Sequence, residues 1–267
     1  MLESVNRICF LDGAAGTMLQ RRGLLGAKVP ESMTAGLPVM TIALAAFTAI
    51  VFLAQQITQA WYGYDPVLEF GAKYGPLIFY GEAWRLITPV FLHLGWGHFL
   101  SNMYSLYVIG SNIEPAWGKS DFLIFYLMTG FTGNVFSYIF NFRTISAGAS
   151  TAIFGTLVAS AFLILRNRDY LRSPQSALGR IGTVIALNFL YGLRAGIDNW
   201  GHLGGFVGGT LICALAAPKF APFYDAASDR TVFRDSVPKT RRRITFAAVF
   251  LLFAAAVILY NRTLVRG

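Results

Sequence analysis

A serine and a histidine lie at the beginnings of two apolar segments and could together perform acyl transfer. Ser150 stands in GASTAIFG (148–155), and His202 stands in GHLGGFVGG (201–209). A serine hydroxyl attacks a peptide carbonyl only when a base takes its proton, and histidine is the usual base because its pKa lies near the working pH. The two residues therefore predict a nucleophile, Ser150, and a general base, His202.

Four further residues could support that chemistry. His98 and Asn102, in HFLSN, are spaced i, i+4, so they share one helix face, and both can donate hydrogen bonds to a developing oxyanion. Gly148 permits a close approach of the preceding loop to the helix. Phe154 lies one helical turn after the serine and could pack against the ring of the base.

No acidic residue and no set of metal ligands accompanies the candidate pair in the sequence. No aspartate or glutamate stands at a comparable depth in these segments, and we expect Asp198 in the loop before His202. The sequence therefore favours a Ser–His dyad over a triad. His93 and His98 could touch a metal, but no carboxylate or thiolate lies at ligand spacing, so we expect no metal site and no cofactor.

Each of these residues also has an ordinary structural interpretation. A serine in a membrane helix commonly bonds a carbonyl one turn back. His202 could be an interfacial histidine, and His98 with Asn102 could be a structural hydrogen-bonded pair. GxxxG spacing, as in Gly205 and Gly209, is typical of helix packing. We assign that role to the glycines and expect the span of Ser150 as their neighbour. The catalytic interpretation rests on the conjunction of three segments and not on any single residue.

The composition indicates the kind of chain that must position these residues. Hydrophobic residues make up 55% of the 267 and charged residues only 13%, whereas a soluble domain carries about 25% charged residues. The net charge of +9 fits either a nucleic acid or loops facing anionic lipid. Because the basic residues lie between apolar runs, we favour lipid and expect no nucleic-acid partner. Two cysteines allow no disulfide framework.

Seven apolar runs approach the roughly 20 residues that a membrane-spanning helix needs. The sequence therefore predicts an all-α polytopic membrane protein. The fourth, fifth and sixth runs contain polar residues, and we expect them to be enclosed by the others. The runs cover approximately residues 38–57, 98–113, 121–140, 149–165, 178–193, 202–217 and 244–261.

Basic residues in the loops predict the orientation. With a cytoplasmic N-terminus, 16 of the 22 Lys and Arg residues lie inside, so we expect the N-terminus inside and the C-terminus outside. Spans two, four and six then run in the same direction, and the candidate residues all meet at the outer side. The aromatic segment 58–97 is expected to lie in the outer leaflet, partly helical; an ordinary extracellular loop is the alternative.

From about Met33 to Ala217 the chain resembles the rhomboid family of intramembrane serine proteases. The motifs follow the family's order: WRLITPVFLHLGWGHFLSN (84–102), GSNIEPAWG (110–118), GASTAIFG and DNWGHLGGFVGG (198–209). The resemblance implies a six-helix bundle plus one C-terminal helix. It also implies that Ser150 is the nucleophile and His202 the base, that His98 and Asn102 line the oxyanion site, and that an aromatic residue stacks on the base.

Two positions depart from the family pattern. Thr151 follows the nucleophile where glycine is frequent, and Gly201 precedes the base where alanine is common. Both residues are small, and neither removes a catalytic group.

The first 33 residues differ from the rest. Residues 8–25 resemble the start of homocysteine S-methyltransferase domains, but the zinc-binding cysteines and the barrel of such a domain have no counterpart downstream. We therefore expect a remnant or a start-site artefact, with Met33 and Met40 as alternative starts; a genuine cytoplasmic tail is the other interpretation. We divide the chain into a 1–33 extension, a 34–217 core, a 218–243 basic cytoplasmic loop and a 244–267 seventh span with its tail.

The sequence thus predicts an intramembrane serine endopeptidase of a bacterial inner membrane. Its partners would be the lipid bilayer and single-span or polytopic membrane proteins, which it would cut near the outer face. A non-catalytic rhomboid-like binder of membrane proteins and a small transporter are the alternatives. The first usually lacks the Ser or the His, and the second should show repeated halves.

Overall fold

The computed structural model describes residues 37–171, 173–194, 196–225 and 229–266. The extension at 1–33, with its resemblance to a methyltransferase, lies outside the described residues. The interpretation of that segment therefore stays a prediction.

Seven long helices follow one another in the order of the seven predicted spans. Three of them are long and apolar enough to cross a membrane: the first, third and seventh, with mean hydropathies of 1.9, 1.4 and 2.3. The all-α polytopic fold is confirmed. The helices are α1 (Val39–Tyr62), α2 (Trp96–Trp117), α3 (Lys119–Phe140), α4 (Ser150–Arg166), α5 (Pro174–Tyr191), α6 (Asn199–Ala216) and α7 (Lys239–Arg266).

Helices α3, α4 and α6 form the centre of the bundle. The most apolar stretch of α3 is 67% buried, against 28% for α1 and 22% for α7. Helices α4 and α6 bury most and half of their residues respectively, so the predicted enclosure of the fourth and sixth spans is found. The predicted enclosure of the fifth span is wrong. In α5 only Ile181 is buried. Its polar residues need no partner from the bundle, because Thr183 and Asn188 bond the carbonyls of Gly179 and Val184 in their own helix.

Glycines allow α6 to lie directly against α4. A Cβ atom on Gly205 would stand 2.0 Å from the carbonyl oxygen of Thr151, and one on Gly209 would stand 2.9 Å from Cα of Gly155. No side chain fits between two backbones at these distances. The packing role predicted for these glycines is confirmed, and the partner is α4.

The segment between α1 and α2 is partly helical, as predicted, and it is tied to the bundle by buried polar groups. Arg85 is 4% exposed and donates from Nη1 to the carbonyls of Glu69 and Ala72, at 2.7 and 2.8 Å. Gln55 of α1 bonds both the N–H and the carbonyl of His93. The short helical turns of this segment are Pro66–Gly71, Gly75–Phe79, Ala83–Leu86 and Thr88–Phe91.

The region predicted as a basic loop, 218–243, contains regular structure. Strands β1 (Phe220–Asp225) and β2 (Arg230–Asp235) pair antiparallel, and α7 begins at Lys239 instead of 244. The cause is a polar anchor at the end of α4: the Asn167 side chain accepts from the N–H of Phe220 at 2.8 Å. Within α7, Arg242 is 3% exposed and pairs with the carboxylates of Asp121 and Asp235.

Candidate active site

Ser150 and His202 meet at the ends of two packed central helices. Ser150 is the first residue of α4, and His202 lies in the first turn of α6. The Ser150 Oγ atom and the His202 Nε2 atom are 2.9 Å apart, which is hydrogen-bond distance. The histidine is 8% exposed. This arrangement can transfer the serine proton to the imidazole ring.

Phe154 holds the ring of the base by stacking. The centroids of the Phe154 and His202 rings are 4.5 Å apart, and the ring planes differ by 20°. The phenylalanine is 2% exposed, so its own position is fixed by packing on all sides. One helical turn separates Phe154 from Ser150. The same helix, α4, therefore carries both Ser150 and the ring that stacks on His202.

The far nitrogen of the base makes no bond to an acidic residue. Among the described residues, His202 Nδ1 has no hydrogen-bond partner. Asp198 precedes α6, as expected, and its side chain accepts from the N–H of Gly201 at 3.1 Å, which caps the helix. The dyad interpretation agrees with this geometry.

His98 and Asn102 line the same cavity as the dyad. The Asn102 amide donates one hydrogen bond to the carbonyl of His98 at 3.0 Å, and its NH₂ group carries a second proton. Gly148 has φ +141°, and a Cβ atom there would lie 2.7 Å from Cε1 and 2.8 Å from Nε2 of His98. Glycine is therefore required two residues before Ser150, because the His98 ring occupies the space that a side chain would need.

The cavity has a volume of about 700 Å³. It is bordered by α2, the segment 144–148, α4, α5 and α6, and it contains both dyad residues. Such a cavity is large enough for a peptide segment and for water.

His93 contacts the backbone just before Ser150, which the sequence did not reveal. Its Nε2 atom accepts the backbone N–H of Ala149 at 3.5 Å, and its ring meets His98 edge to face at 5.1 Å. Burial, and secondarily the neighbouring His98 ring, lower the pKa of His93 to about 3, so the ring is neutral and can accept. The sequence signal was the spacing HLGWGH, which suggested only a metal ligand.

Comparisons with known proteins give the same family as the motifs. The Rhomboid domain profile matches residues 80–219, more than half of the chain. The chain is 37% identical to the Rhomboid protease GluP of Bacillus subtilis (strain 168) over 191 residues, which are 70% of this chain and 37% of that protein. It is 40% identical to RHOMBOID-like protein 1 of Arabidopsis thaliana over 144 residues, 53% of this chain and 37% of that protein.

A third relative is named as inactive. The chain is 35% identical to the Inactive RHOMBOID-like protein 8 of Arabidopsis thaliana over 128 residues, 47% of this chain and 36% of that protein. The matches thus span little more than a third of the length of each of these three relatives.

The chain has helices that are long and apolar enough to cross a membrane, and they surround a serine–histidine pair. It is therefore a multi-pass membrane protein with a polar site between its spans. Within that class the profile match and the relatives are specific. The chain belongs to the rhomboid family.

Proposed function

We propose that this chain is an intramembrane serine endopeptidase that cuts transmembrane segments of membrane proteins. The observation that carries the proposal is the 2.9 Å contact between Ser150 Oγ and His202 Nε2, made inside a cavity of about 700 Å³. The similarity to a rhomboid protease supports it.

The proposed reaction begins with attack of Ser150 Oγ on a substrate carbonyl carbon. His202 Nε2 takes the serine proton, and the carbonyl oxygen becomes an oxyanion. When the peptide C–N bond breaks, the same proton passes to the leaving amine, and an acyl-enzyme remains. A water molecule then attacks the acyl carbon while His202 takes one of its protons. The bond between the acyl carbon and Ser150 Oγ breaks, His202 returns that proton to Oγ, and the acid is released.

Stabilisation of the oxyanion is assigned to His98 and Asn102. Both line the cavity beside the nucleophile, and a donor of this kind contributes on the order of 10²- to 10³-fold in rate. The first N–H groups of α4 have no intrahelical acceptor, and they supply a further donor. No cofactor is needed for these steps.

The substrate is proposed to enter between α2 and α5 and to be cut near the outer face of the membrane. Helix α5 buries only Ile181, although Val184 and Asn188 border the cavity. A loosely packed helix beside the site can let an unwound segment reach it. We place the protein in a bacterial inner membrane with the N-terminus in the cytoplasm, residues 34–217 as the protease core, and residues 1–33 outside that core.

The decisive experiment is labelling of purified protein with a fluorophosphonate, which reacts with an activated serine. We expect labelling of the native protein, loss of labelling in Ser150→Ala, and unchanged labelling in the control Ser160→Ala, a serine on the same helix that bonds the carbonyl of Thr156. Cleavage of a model transmembrane substrate should follow the same pattern. Cleavage by Ser150→Ala would refute the assignment.

A non-catalytic binder of membrane proteins is the second candidate, favoured by the similarity to a relative that is named as inactive. It predicts that folded native protein resists the fluorophosphonate but still retains a membrane-protein client. Comparing the membrane-anchored proteome of cells with and without Ser150 distinguishes the two, because only a protease leaves new client termini.

A further inference from the structure

Asp198 connects the helix of the base to the end of a neighbouring helix. One side-chain oxygen accepts from the N–H of Gly201 at 3.1 Å and from Nδ2 of Asn141 at 3.5 Å. The other accepts from the hydroxyl of Ser137. Asp198 therefore fixes the start of α6 against the last turns of α3.

Lys73 reaches the same end of α3 from the segment between α1 and α2. It is fully buried, and its ammonium group donates to the carbonyls of Asn141 at 2.7 Å, Thr144 at 2.8 Å and Ser137 at 3.4 Å. Its backbone also pairs with Ser146, whose segment borders the cavity.

Ser137 and Asn141 connect the carboxylate of Asp198 to the ammonium group of Lys73. Ser137 and Asn141 each donate a side-chain proton to Asp198, and each gives its carbonyl oxygen to Lys73. A buried ammonium surrounded only by carbonyls still needs a counter-charge. Burial lowers the pKa of Lys73 to about 8, and the carboxylate of Asp198 opposes that shift.

We propose that Asp198 is a positioning residue for His202 and that Lys73 is its counterion. This inference rests on the proposed protease function, because it assigns a role in the same reaction. Asp198 is the N-cap residue of α6, four residues before His202, and both residues line the same cavity. The carboxylate caps the helix that aims the ring, and its negative charge stabilises the imidazolium that forms when Ser150 loses its proton.

The role differs from that of the acid in a triad. A triad carboxylate bonds the far nitrogen of the histidine, whereas His202 Nδ1 has no partner among the described residues and Asp198 bonds the helix end instead. The carboxylate therefore acts on the base through the helix and through space.

The first test uses Asp198→Asn, which keeps an oxygen to cap α6 but removes the charge. We expect the rate of fluorophosphonate labelling and kcat for a model substrate to fall on the order of 10-fold, because a negative charge near the base is lost. KM should stay unchanged, and the thermal midpoint should fall because Lys73 loses its counterion. The matched control is Asp169→Asn, whose carboxylate is 86% exposed. Unchanged labelling and kcat in Asp198→Asn would overturn the positioning role.

The second test does not depend on activity. Thermal midpoints of the purified protein are compared for Lys73→Met, Asp198→Asn and the double variant. A counterion pair predicts that the double variant is destabilised by clearly less than the two single effects added together. Additive effects would overturn the pairing. Absence of labelling in the native protein would instead refute the proposed protease function, and the midpoints would still decide the pairing.

Discussion

Replacing Gly205 with alanine should separate the helices that carry the two dyad residues. The added Cβ atom would lie 2.0 Å from the carbonyl oxygen of Thr151 and 2.9 Å from its carbonyl carbon. An ordinary carbon–oxygen contact is about 3.3 Å, so α6 must move by about 1.3 Å relative to α4. The obstacle is backbone, which cannot rotate away as a side chain can.

The movement is large on the scale of the catalytic contact. Ser150 Oγ and His202 Nε2 are 2.9 Å apart, and a displacement of about 1 Å along that line exceeds hydrogen-bond distance. A misplacement of this size costs on the order of 10²-fold in rate. Overpacking of the helix contact should also lower the free energy of unfolding by about 1–3 kcal/mol.

The assay is the rate of fluorophosphonate labelling together with the thermal midpoint in detergent. Gly182→Ala is the matched control, because Gly182 lies in α5 with open space where its Cβ would be. Alanine there should leave labelling unchanged and stabilise the helix by up to about 1 kcal/mol. If Gly205→Ala labels within threefold of the native rate, close backbone packing does not set the dyad geometry and the reasoning fails.

Three other predictions follow from single contacts. Phe154→Leu keeps most of the buried volume but loses the stacking on His202, so kcat for a model substrate should fall on the order of 10-fold at unchanged KM, with a stability cost under about 1.5 kcal/mol. Arg242→Met removes the buried partner of Asp121 and Asp235, although Asp121 keeps the half-exposed Arg243 at 3.1 Å. It should cost about 3 kcal/mol in chemical unfolding, the lower end for a broken buried pair, whereas the exposed Arg241→Met should be neutral. Burial lowers the pKa of Lys73 from 10.5 to about 8. Between pH 8 and 10.5 this side chain is therefore mostly protonated in the unfolded chain and mostly neutral in the folded protein. The free energy of unfolding of the native protein, relative to Lys73→Met, should therefore rise from pH 8 to 10.5 by at most about 3 kcal/mol in a pH series of unfolding midpoints; a fall would contradict the lowered pKa.

Apolar run length predicted the number and order of the long helices but not all of their ends. Helix α2 was expected to end near 113, yet it continues through Pro115 to Trp117. The reason is a contact 73 residues away in sequence: the carboxylate of Glu114 accepts the N–H and the hydroxyl of Thr41 at the start of α1. A polar residue that is satisfied by a distant helix looks like the end of a span when hydropathy alone is considered.

The fifth span and the basic loop also differ from their predictions because hydropathy does not reveal the partners of polar groups. Polar residues in α5 suggested enclosure, but they bond their own helix, a possibility that composition does not exclude. The β1–β2 hairpin depends on Asn167, which lies 53 residues before the strand that it anchors. Neither outcome follows from periodicity, because each is decided by which partner a polar group finds.

Site residues could be predicted where they lie close in sequence to one another, and could not where their contacts join distant segments. The positions of Phe154 and Asn102 followed from helical spacing to Ser150 and His98, and the structure brings all of them to one cavity. The support that His93 gives to the backbone before the serine spans 56 residues. Lys73 is one of the six Lys and Arg residues that the charge pattern places on the outer side of the membrane. Nothing near it in the sequence predicts that it is buried at the end of α3.

The charges around the dyad explain how a base can be oriented here without an acid at its far nitrogen. A carboxylate beside the buried His202 Nδ1 atom would itself be buried, and an isolated buried charge is costly. Stacking on Phe154 orients the ring without introducing a charge. Asp198 instead lies at the start of α6, where the backbone N–H of Gly201 and the charge of Lys73 compensate it. Orientation of the base then depends on the distance between α4 and α6, which is why the glycines of α6 matter as much to the proposed chemistry as the residues that perform it.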